Sequence, residues 1–61
     1  MGYILTAEPH SDEASRAFDA LDNAFGTDSF EKEEALRVLA EHGFTAVMFT
    51  SLVSTGCVTE E

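Results

Sequence analysis

Side chains able to do chemistry are present in this chain, but their spacing serves none of the common reactions. Asp22 and Glu33 fall where the first and twelfth ligands of a calcium-binding helix–loop–helix would stand. Between them Ala24 takes the third position, Gly26 the fifth, and Thr27 the sixth, where that loop requires glycine. The run therefore reads as an acidic turn, not an ion cage. His10, His42 and Cys57 are the remaining metal-type donors. No two of them share the close spacing of a structural zinc site, and a fourth ligand would have to be a carboxylate. His42, beside Gly43, reads as a residue at a helix end, where it meets the dipole; Cys57 reads as a small core residue. Ser11, Ser15, Ser29, Ser51 and Ser54 have no triad partner, and carboxylates on faces this polar lack the burial that separates acid from base. No catalytic, cofactor or metal residue is assigned.

A different kind of signal lies between Gly43 and Thr59, a stretch without a single charge. Val47, Met48, Phe49, Leu52 and Val53 are too many apolar side chains for one small core to hide, and contiguous apolar surface usually marks an interface. These five are the candidate interface residues. The alternative is internal cover by Tyr3-Ile4-Leu5 and the helix that follows it. Were the same segment to face DNA, Thr45, Ala46, Met48, Thr50, Ser51 and Ser54 would enter the groove. None of the six neutralises a phosphate, and none is an Arg, Lys, Asn or Gln of the kind that reads bases.

The elements that must hold these residues are legible from caps and periodicity. Ser11 reads as an N-cap, with Asp12 and Glu13 in a first turn where the helix dipole favours acids. Ala14, Ala17, Phe18, Leu21 and Phe25 follow at spacings of three and four, and Gly26 supplies the stop. A second helix starts near Asp28, Ser29 or Glu31, turns Ala35, Leu36, Leu39 and Ala40 inward, and closes at His42-Gly43. Thr45 then caps a third, running from Ala46 to Thr55 and ended by Gly56. Its Val, Thr and Phe content also tolerates strands. Tyr3-Ile4-Leu5 and Cys57-Val58-Thr59 are β-prone and positioned to pair.

Size and charge bound what such a domain can be. A chain of 61 residues makes one domain, residues 1–61, and hides only about 60% of its unfolded surface. That leaves no room for a two-lobed cleft, argues against an enzyme, and favours a protein partner, most simply a second copy in a homodimer. Twelve acidic residues against Arg16, Lys32 and Arg37 leave a net charge of −9, which repels DNA and anionic membranes. At molar salt the Debye length contracts to about 3 Å and that repulsion is screened. The composition resembles that of proteins from extremely halophilic archaea. One cysteine excludes an internal disulfide. Without a membrane-length apolar stretch or a signal-peptide pattern, a cytoplasmic protein is expected.

The runs Phe30-Glu31-Lys32-Glu33-Glu34-Ala35-Leu36, Gly43-Phe44-Thr45 and Leu52-Val53-Ser54-Thr55-Gly56-Cys57-Val58 resemble the core of archaeal winged helix-turn-helix regulators. In that family a leucine four residues before a glycine leads from the recognition helix into the first wing strand. The resemblance implies a mostly α, three-helix, winged-helix-like domain with short terminal β-strands. It departs from the family in two ways: three residues follow Val58, too few for a wing hairpin, and the reading helix has no cations. The expected function is a non-enzymatic interaction or self-association module accessory to transcription regulation. Direct DNA binding and a weak metal response are the alternatives.

Overall fold

The computed structural model describes residues 2–61 and consists of three helices closed by a pair of short strands. In chain order these are β1 (Tyr3–Leu5), α1 (Asp12–Phe25), α2 (Lys32–Glu41), α3 (Ala46–Ser54) and β2 (Val58–Glu60). The mostly α class with terminal strands is as expected. The segment that tolerated either state is a helix.

Each helix begins and ends for a local reason. Ser11 Oγ accepts a bond from the Ala14 N–H at 3.2 Å, capping α1. Of the three possible starts for α2, Glu31 is the N-cap, and it forms a capping box with Glu34. Glu34 Oε1 accepts from the Glu31 N–H at 3.1 Å. The ends of α2 and α3 are two copies of one device. The Gly43 N–H donates to the Ala40 carbonyl and the Phe44 N–H to that of Leu39; the Gly56 N–H donates to Val53 and the Cys57 N–H to Leu52. These are the paired bonds of a Schellman motif, with Phe44 and Cys57 as the apolar residues that follow the glycine. Gly43 and Gly56 take φ of 85° and 84°. Gly26 ends α1 differently: its φ of 61° is positive, but its ψ of −126° lies outside the left-handed helical region expected of a helix stop.

The two strands are antiparallel, with Tyr3 opposite Glu60, Ile4 opposite Thr59 and Leu5 opposite Val58. The expected pairing is therefore present, with β2 one residue later than anticipated. Tyr3 also exchanges two backbone bonds with Phe30, at 2.7 and 2.9 Å, so the segment before α2 lies along the other edge of β1. This places β1 in the middle of a narrow three-membered row.

The core gathers where the helices meet that row. Ala17 and Leu21 of α1, Ala35 and Leu39 of α2, Phe49 and Leu52 of α3, and Phe30, Cys57 and Val58 are buried together. Ala20 is buried too, on a face where only Ala17 and its stripe were expected. Phe25 stacks on Phe30 at a centroid distance of 4.7 Å, and Tyr3 meets Phe49 edge-on at 5.1 Å. No helix among the described residues is long and apolar enough to cross a membrane.

Candidate interaction surface

A nine-residue helix packed on one side must sort its apolar residues by angle, and α3 does so. Phe49 and Leu52 point into the core and are 2% and 0% exposed. Their assignment as interface residues is corrected: Tyr3 meets Phe49 edge-on and α1 and α2 pack against α3, so both side chains are covered from within. Met48 and Val53 are half-buried at the flanks. Val47 stands on the opposite side, 71% exposed, and is the one exposed large hydrophobic among the described residues. Of the five expected interface residues, then, one is fully outward, two are partly available and two are not.

The six positions of the DNA reading fall mostly on that same outer side. Thr45, Ala46, Thr50, Ser51 and Ser54 are exposed, and Met48 is half-buried. They offer little to a base edge. Thr50 Oγ1 already donates to the Ala46 carbonyl at 3.3 Å, within its own helix. Cations do not collect beside them. Lys32 lines a shallow hollow with Tyr3, Phe49, Thr50, Val53 and Ser54, whereas Arg16 lines another with Asp19, Asn23 and His42. Arg37 lies five residues beyond Lys32 on α2, well round the helix from it. One lysine at the edge of α3 is not a phosphate-binding ridge.

On its other flank α3 borders a groove that the sequence did not disclose. The groove has two stretches, of about 310 and 440 Å³, sharing Ser11, Ala14 and Ser51. The first runs between the start of α1 and Phe44, Val47 and Met48. The second passes under the connection Ala7-Glu8-Pro9-His10, above Leu52, Thr55 and Cys57. The connection is laid there because Thr6 and Ala7 both donate backbone bonds to the Cys57 carbonyl, at 2.8 and 3.3 Å. Pro9 was visible as a breaker, but nothing in its spacing told which helix it would cross.

Of the metal-type donors, His10 and Cys57 line the same stretch of the groove, whereas His42 stands apart at the end of α2. His10 is exposed on the groove wall, and Cys57 is buried 3.3 Å from Thr55 Oγ1. His42 Nδ1 lies 2.9 Å from the Val38 carbonyl at the end of α2, a bond that ties it to its own helix. Among the described residues no three His, Cys, Asp or Glu side chains are grouped as metal ligands would be. No protein-family model, curated protein or solved structure matches the chain.

Proposed function

We propose that this protein is a non-catalytic, winged-helix-like interaction module of the cytoplasm that associates through the outer side of α3. Its first partner is a second copy of itself, and its role is accessory to transcription regulation. The observation that carries this is Val47, a large aliphatic side chain left 71% exposed in the first turn of a helix that carries no charge. Apolar surface held in water at such a position gains most when a second surface covers it. The winged-helix-like build is supported by the row Phe30–β1–β2, in which β1 supplies the companion strand that a wing hairpin otherwise brings. Association between two chains of charge −9 requires screening, so the dimer belongs to high salt. Sedimentation in dilute and in molar salt tests this. The wild type dimerises in molar salt and Val47→Asp does not; a wild type that stays monomeric at high concentration in both would overturn the reading.

Direct DNA binding is the second reading. It is favoured by the exposure of Thr45, Ala46, Thr50, Ser51 and Ser54 on one side of α3 with Lys32 at its edge. An electrophoretic mobility shift across a salt series separates the two. A retarded band that weakens steeply with salt would promote this reading over self-association.

A further inference from the structure

The groove between α1 and α3 has a floor and a rim of opposite character. Ala14, Leu52 and Cys57 lie along the floor, with Met48 at one end and Pro9 at the other. Two of the polar side chains near it, Thr55 and Ser11, are already engaged. Thr55 Oγ1 donates to the Ser51 carbonyl at 2.9 Å and lies against Cys57 Sγ, while Ser11 Oγ holds the Ala14 N–H. No buried side-chain nitrogen or oxygen among the described residues lacks a partner. Such a floor rewards an apolar side chain. The rim carries Glu8 and Glu13, and neither stretch is lined by a lysine or arginine. Both stretches fall within the range of about 300–1,000 Å³ that ligand pockets span.

From this we infer that the groove seats a cationic segment of another protein, anchored by a large apolar side chain and flanked by Lys or Arg. The inference rests on the interaction-module reading and names the partner's chemistry for the flank of that surface. Charge complementarity selects the occupant: basic flanks meet Glu8 and Glu13 in the field of a chain of charge −9. A second copy cannot fill the role. Its three cations are each set among acids: Lys32 between Glu31 and Glu33, Arg37 four residues from both Glu33 and Glu41, and Arg16 four from Asp12. It has no basic apolar segment to give.

The test uses the isotope-labelled full chain at low salt, titrated with the peptide Lys-Arg-Leu-Phe-Leu-Lys-Arg. One control replaces its basic residues by Glu, and another replaces Leu and Phe by Gly. The parent peptide is expected to shift amides of residues 7–14 and 47–57 and to bind at least about tenfold more tightly than either control. The double variant Glu8→Gln, Glu13→Gln weakens it several-fold with its spectrum otherwise intact, and Ser51→Trp, filling the groove from an exposed position, abolishes it. Equal binding of the glycine control, or shifts spread over the acidic outer face of α2, would overturn the inference by showing only long-range attraction to a charged chain. Sedimentation of the same samples in molar salt keeps the two readings apart. A chain that dimerises through Val47 but ignores the peptide sinks the groove and leaves the module standing.

Discussion

Val47 and Leu52 belong to the same helix, yet the consequences of changing them are opposite. Leu52 is fully enclosed, so truncation to Ala removes packing that cannot be restored and costs about 2–5 kcal/mol. In a domain this small that is enough to unfold most of the population, and a far-ultraviolet circular dichroism spectrum at room temperature reads the loss directly. Val47→Asp leaves the melting midpoint within a few degrees of the wild type while removing the association. The cysteine belongs to the same comparison. Cys57 is 5% exposed, so in native buffer a thiol reagent reacts with it slowly, and only unfolding in urea releases the full rate. Rapid native labelling, or a disulfide-linked dimer on a non-reducing gel, would contradict its place in the core. Gly26 marks a third kind of constraint. With φ at 61° and ψ at −126° it occupies a region in which asparagine, tolerant of the left-handed helix, has no advantage over alanine. Gly26→Ala and Gly26→Asn are therefore expected to destabilise alike, by about 1–3 kcal/mol in urea titration.

The three helices are secured unequally. Ser11 caps α1 by its side chain, and Glu31 with Glu34 boxes the start of α2. By contrast, Thr45 at the start of α3 makes no side-chain capping bond, and the first turn of α3 holds no acid. The helix that bears the candidate surface is thus the one least fastened at its N-terminus. Thr45→Asp adds both a better cap and a charge suited to the dipole, and is expected to raise stability by about 0.5–1 kcal/mol in molar salt. Urea denaturation reads it; no gain would mean that the Thr45 backbone geometry already satisfies the turn. At the other end α3 is firmly closed, because its Schellman bonds hand the chain straight into β2. That β2 pairs with β1, and β1 with Phe30, ties the first and last elements and the α1–α2 connection into one row.

Charge governs the molecule as a whole. A body only 26 × 21 × 19 Å in extent carries −9, so every acid lies within a few Debye lengths of all the others at moderate salt. Folding brings those charges together, and the cost falls as salt screens them. The melting temperature is expected to rise steadily from about 0.1 M to about 2 M sodium chloride. Circular dichroism melts show it, and a flat dependence would remove the halophilic interpretation. The same field bears on partners. It resists a second copy until screened and draws basic segments at low salt, so self-association and groove occupancy should respond to salt in opposite directions.

The first two helices and the glycine stops are short-range chemistry and could be read before any coordinates. The start of α2, however, was narrowed only to Asp28, Ser29 or Glu31, and the third helix also tolerated a strand. Ser11 before two acids, Glu31 three residues before Glu34, and a leucine four before Gly43 and again before Gly56 each act within a turn or two. Pairing of the terminal strands was legible as well, since Tyr3-Ile4-Leu5 and Cys57-Val58-Thr59 were short, β-prone and set at either end of the helical run. What stayed hidden depends on packing between residues distant along the chain. Which two of the five apolar residues in α3 turn inward follows from where Tyr3, α1 and α2 settle. The groove exists because residues 6 and 7 bond to the carbonyl of Cys57, some fifty positions away. Periodicity along a helix states that a face exists; it takes the neighbours in space to determine whether that face is covered or left in water.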